Sequence, residues 1–105
     1  MTATRILDTT ISDTGAQQNI ENRFLRSSKP LRFSADLADG DVLKVYGRAN
    51  SNDDWNELQE FSGTTTVMDI YPSSEMKADR TTDGGNGDSE VFIENPFGLS
   101  LTAHI

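Results

Sequence analysis

The strictest constraint on this chain is an alternation. Leu31, Phe33, Ala35 and Leu37 are apolar while Arg32, Ser34 and Asp36 between them are polar, and Leu99, Leu101, Ala103 and Ile105 alternate in the same way with Ser100, Thr102 and His104. Successive side chains of an extended chain point to opposite faces, so a period of two marks strands with one face in a core and the other in water.

The same period, less strictly kept, runs through Arg5 to Ile11, Val42 to Ala49, Thr65 to Tyr71, Met76 to Thr81 and Ser89 to Asn95, where β-branched and aromatic residues are enriched. Turn-forming residues separate these segments at Asp39-Gly40-Asp41, Asn50 to Asp54, Ser62-Gly63, Pro72-Ser73-Ser74, Asp83 to Asp88 and Asn95-Pro96. Gly, Asn and Asp accept backbone conformations that β-branched residues resist, and proline ends a ladder by lacking a donor. A turn every 8–12 residues or so, with connections this short, favours antiparallel neighbours. The expected fold is all-β: an antiparallel β-sandwich, jelly-roll or immunoglobulin-like, of roughly seven to eight short strands. Residues 1–105 are read as one domain, with residues 1–12 as either an N-terminal arm or the first strand.

Two stretches are ambiguous. In Ser51 to Phe61, Trp55, Leu58 and Phe61 fall three apart, and Asp54 with Glu57 suits the cap of a short helix. Such a helix has only about two turns and strands on both sides, so a strand is expected, with Trp55 and Phe61 on one face and Leu58 on the other. Asp13 to Pro30 is the least regular region, and Gln17 to Arg26 reads as a short helix or an irregular strand.

The charge balance excludes some partners. Seventeen acidic residues against nine basic ones give a net charge of -8, a field that repels phosphate backbones and anionic lipid surfaces. Neither nucleic acid nor a membrane is an expected partner. The first residues lack the apolar core of about 7–15 residues of a signal peptide, and no stretch approaches the roughly 18 apolar residues that cross a bilayer. Synthesis in the cytoplasm is expected. The absence of cysteine removes disulfides and thiolate chemistry.

Catalytic and metal-binding constellations are weakly represented. The single histidine, His104, stands beside the last residue, a poor position for the base of a triad, and imidazole zinc sites use more than one histidine. The segment Arg80 to Ile93, RTTDGGNGDSEVFI, offers Asp83, Asn86, Asp88 and Glu90 as oxygen ligands. Counted as an EF-hand from Asp83, it has Gly85 and Gly87 at ligand positions and Asp88 where glycine is required. Against the calcium-binding nonapeptide, Asp88 arrives one residue early and the motif occurs once where stacked copies are needed. The segment is therefore read as a hairpin tip between two strands, with no metal and no cofactor, and the chain as not an enzyme. Trp55, Tyr71, Tyr46 and Phe92 either line a sugar platform or fill cores.

The order Leu43-Lys-Val-Tyr-Gly47, an Asn/Asp loop ending in Trp55, Leu58-Gln-Glu-Phe61, the run Thr64 to Val67, Met76-Lys-Ala-Asp-Arg80, a glycine loop and Val91-Phe-Ile93 resembles small β-sandwich virion structural proteins of tailed bacteriophages. The resemblance covers Asp41 to Glu94. It implies a capsid decoration, or cement, protein that binds the outer surface of the major capsid lattice in the virion, with the major capsid protein as partner and a homotrimer as the assembly. The alternatives are a tail or head-fibre component, or a carbohydrate-binding module. Under that resemblance the first choice of lattice or subunit contact is Thr4 to Ile11, through Ile6, Leu7 and Ile11, and the second is Phe24, Leu25 and Arg26. Each has a plainer reading as an ordinary first strand or as core packing.

Overall fold

The computed structural model describes residues 2–95; the expected strand at Leu99 to Ile105, with His104, lies outside the described residues. The elements are β1 (Thr2–Asp8), β2 (Gln18–Asn19), α1 (Asn22–Leu25), β3 (Leu31–Asp36), β4 (Val42–Arg48), β5 (Asn56–Phe61), β6 (Val67–Ile70), β7 (Glu75–Thr82) and β8 (Glu90–Asn95). They form two four-stranded sheets, ordered β1-β8-β3-β6 and β2-β7-β4-β5, and every pairing is antiparallel.

The chain is an all-β sandwich, and its strand order is that of a jelly roll. β1 pairs with β8, β2 with β7, β3 with β6 and β4 with β5. The described chain is thus one long hairpin rolled over on itself, and every connection except β4 to β5 passes from one sheet to the other.

Alternation builds the core. Leu31, Phe33 and Ala35 of β3, Leu43 and Val45 of β4, Met76 and Ala78 of β7, and Val91 and Ile93 of β8 all point inward and are buried. Phe61, Ile70, Ile20 and Phe24 close the layer between the sheets. The next inward position of β4 is Gly47, where a Cβ would stand 2.8 Å from the Leu58 side chain.

Two bulges change the expected faces. In β1, Arg5 faces Phe92 and Leu7 faces Val91, so Ile6 is an extra residue. Both Ile6 and Leu7 therefore reach the core, which simple alternation does not allow. In β5, Gln59 faces Val45 and Glu57 faces Tyr46, leaving Leu58 unpaired. Leu58 packs against the core on the side of Phe61, while Trp55 lies under the outward-facing Arg48. The expectation that Trp55 and Phe61 share a face fails because the bulge shifts the register between them.

β1 stops at Asp8, not at Ile11. The Asp8 carboxylate accepts the Thr10 N–H at 3.0 Å and the Thr10 hydroxyl at 2.7 Å, and the Asp8 carbonyl accepts the Ile11 N–H at 3.0 Å. An aspartate that caps its own turn competes with the ladder. Within the irregular region, β2 is a two-residue strand and α1 a single turn of helix.

Candidate interaction surfaces

The acidic glycine loop is not a hairpin tip. β7 pairs with β2 and β4 while β8 pairs with β1 and β3, so residues 83–89 cross from one sheet to the other. The crossing is fastened from below by Asp41, which is 1% exposed. Asp41 Oδ1 accepts the Gly84 N–H at 2.7 Å, and Oδ2 accepts the Ser89 hydroxyl at 2.7 Å and Arg80 Nη1 at 3.2 Å. Ser89 Oγ in turn accepts the Ala38 N–H at 2.9 Å, and the Ser89 N–H donates to Thr9 Oγ1 at 2.8 Å.

Arg80 is the hub of this cluster, with a side chain 7% exposed. Its guanidinium contacts Asp13 at 2.7 Å, Asp41 at 3.2 Å and Asp83 at 3.3 Å, and donates to the Gly87 carbonyl at 3.2 Å. Burial pushes the Asp41 carboxyl up, but the hydrogen bonds from Ser89, Gly84 and Arg80 together with the Arg80 charge outweigh it and hold the group below its ordinary value. Burial likewise opposes the charge on Arg80, and Asp13 and Asp41 more than restore it. Of the carboxylates that the sequence offers to a metal cation, Asp83 contacts Arg80, while Asp88 accepts the Thr9 hydroxyl at 3.1 Å and Glu90 pairs with Arg5 at 3.1 Å. The signal was legible: Arg80 follows Met76 and Ala78 at the inward positions of β7, where a cation requires buried acidic partners.

The first predicted contact segment divides. Ile6 and Leu7 are 3% and 2% exposed and belong to the core, while Ile11 is 78% exposed. Beside them a groove of about 290 Å³ runs between β1, the outer strand of its sheet, and the returning chain, lined by Arg5, Asp8, Ile11, Ser12, Thr14 and Gly15 among others. The return is stitched to β7 by Gly15 N–H to the Ala78 carbonyl at 2.9 Å and by Arg80 N–H to the Asp13 carbonyl at 2.7 Å. Arg5 bridges Asp8 at 3.4 Å and Glu90 at 3.1 Å along the rim.

The second segment divides too. Phe24 is 1% exposed and Leu25 packs partly against the core, whereas Arg26 is exposed at the C-terminal end of α1. The Arg26 N–H closes the helix on the Asn22 carbonyl at 2.9 Å, and the Ser27 hydroxyl donates to the Phe24 carbonyl at 2.9 Å.

The aromatics do not form one platform. Trp55 lies 4.0 Å beneath the Arg48 guanidinium and 5.2 Å from Lys77 Nζ, which also stands 5.6 Å from the Tyr46 ring. Arg48 is held there by Glu75 at 2.6 Å. One face of Trp55 is covered by a fixed cation. Phe92 is in the other sheet, and Tyr71 stands 68% exposed just beyond β6.

No helix of the described residues is long and apolar enough to cross a membrane. Comparisons with protein-family models, curated proteins and solved structures return no match to this chain.

Proposed function

We propose that this protein is a bacteriophage virion structural protein, a capsid decoration (cement) protein that binds the outer surface of the major capsid lattice and stabilises the head. It acts as a homotrimer, without catalysis and without a cofactor. The observation that carries the reading is the groove beside β1. An edge strand followed in the next turn by an apolar side chain as exposed as Ile11 is a surface suited to being covered by a neighbour. The jelly-roll order supports it by analogy, because capsid proteins use that architecture widely, although lectins do as well.

The rest of the molecule suits a load-bearing role. The polar network at Asp41, Arg80 and Ser89 fastens both sheets and the loops between them, which favours a rigid, protease-resistant body. The carbohydrate reading loses support at Trp55, where Arg48 lies on the ring.

Gel analysis of purified virions tests the proposal. A decoration protein is among the most abundant bands, whereas a tail or head-fibre component is scarce, and absence from virions overturns both. A cryo-EM map of the particle then checks location, trimeric stoichiometry and the β1 groove as the covered face.

A further inference from the structure

Seven of the nine cations of this chain are engaged in ion pairs with its own acids: Arg5, Arg23, Arg32, Lys44, Arg48, Lys77 and Arg80. The remaining two, Arg26 and Lys29, have no acidic partner among the described residues. Both are exposed, and both sit in the single turn between α1 and β3. In a chain with almost two acids for every base, two neighbouring cations left without a carboxylate stand out against the surrounding pattern.

Sequence and backbone add two independent features. Residues 22–35 contain Arg23, Arg26, Lys29 and Arg32 and no acid at all, and outside them five cations face all seventeen acidic residues. Between Arg26 and Lys29, Ser28 adopts φ 59°, the one positive φ at a non-glycine position among the described residues. The left-handed region disfavours any residue with a Cβ, and such outliers collect where a particular presentation of side chains matters. The Ser27 hydroxyl accepts the Lys29 N–H at 3.4 Å and donates to the Phe24 carbonyl, so the turn is tied back to the buried Phe24. Tyr71 follows Ile70, whose register partner is Leu31, and so emerges at the same end of the sheet.

We infer that the turn Arg26-Ser-Ser-Lys29 is a docking point for an acidic protein surface, its two cations engaging carboxylates of the partner. For the partner's identity, an acidic patch on the capsid shell, this rests on the decoration reading; for its chemistry it rests on the turn alone. A surface of like charge is repelled by most of this molecule, so the acid-free segment selects the orientation in which the protein approaches.

The test uses immobilised poly-L-glutamate at about 100 mM salt, where a Debye length of about 10 Å limits each contact to local charge. The wild-type protein is expected to be retained, and Arg26→Gln/Lys29→Gln to lose about tenfold in affinity with an unchanged melting temperature, since both residues are exposed. Lys44→Gln/Lys77→Gln, with the same change in net charge, is expected to keep wild-type retention. Equal retention of the two double variants, or no retention of the wild type, overturns the inference. Tighter retention on poly-dT than on poly-L-glutamate overturns the partner class in favour of nucleic acid.

Undecorated shells then separate this inference from the function on which it draws. Wild-type binding that Arg26→Gln/Lys29→Gln leaves intact overturns the docking point and spares the decoration role. Wild-type failure on shells with the loss on poly-L-glutamate preserved overturns the decoration role and spares the turn.

Discussion

Arg80 Nη1 lies 3.2 Å from Asp41 Oδ2, with the two side chains 7% and 0% exposed. A pair so withdrawn from water owes its favourable balance to the additional hydrogen bonds from Gly84 and Ser89. Removing Asp41 takes from Arg80 its fully buried carboxylate, leaving it the half-exposed Asp13 and Asp83, and strips the Gly84 N–H and the Ser89 hydroxyl of their acceptor in the interior. Asp41→Ala is expected to cost about 3–5 kcal/mol of unfolding free energy, measured by urea denaturation. A cost within the range of surface substitutions, below about 0.5 kcal/mol, would show that the cluster does not hold the loops.

The same carboxylate sets an acid dependence. Its folded-state value lies below the ordinary one, so the unfolded chain takes up the proton first and stability falls as pH falls. Asp8 is displaced in the same direction, chiefly by the Thr10 hydroxyl and N–H. The contribution is fully present above the unfolded carboxylate value of about 3.9 and is lost as pH drops through the lower folded value. Melting curves between pH 7 and pH 2 are expected to stay level and then fall below about pH 4, and Asp41→Asn is expected to fall less steeply there. Parallel curves for the two proteins would place the acid sensitivity elsewhere.

Gly15 holds the returning chain against both sheets. A Cβ at this position would collide with the Ala78 carbonyl oxygen and stand 2.6 Å from the Ile6 carbonyl oxygen, both rigid backbone atoms. Gly15→Ala is expected to destabilise by about 2–3 kcal/mol, at the upper end of overpacking costs, read as a lowered melting temperature. Gly63→Ala is the contrasting variant. Its Cβ meets nothing within 4 Å but its φ is +59°, so only the conformational cost of about 1–2 kcal/mol applies.

Ser28 carries a strain that a glycine would relieve. Ser28→Gly is expected to raise unfolding free energy by a few tenths to about 1 kcal/mol, because the left-handed penalty of about 1–2 kcal/mol exceeds the entropy that glycine adds to the unfolded chain. Denaturant midpoints check this. A lower midpoint would mean that the turn is stabilised by the serine side chain.

β3 and β4 were legible residue by residue, because Leu31, Phe33 and Ala35, and then Leu43 and Val45, kept strict period two in strands with neighbours on both sides. The failures came where backbone geometry changes without a change in composition. A bulge at Ile6 and another at Leu58 each shift the register by one residue, and neither site has a glycine to announce it. β2 is too short to carry a period. Pairing of distant strands is invisible to local pattern, so the glycine segment between β7 and β8 read as a hairpin although the two strands lie in different sheets. Of the predicted contact residues, Ile11 and Arg26 reach the surface. Ile6 and Leu7 are as apolar in sequence as Ile11, and only the packing separates them.

The rolled-up order also sets a timetable for folding. β4 and β5 are joined by a short turn, β3 and β6 enclose them, β2 and β7 enclose those, and β1 with β8 comes outermost, bringing Arg5 against Phe92. Each enclosing pair must close a longer loop before its contacts form, so refolding is expected in the slow range of roughly milliseconds to seconds typical of non-local β topologies. On loop length β1 is expected to seat last. A chain in which β1 has yet to seat presents β8 as an open edge, a place for which a strand from another copy is expected to compete at high concentration.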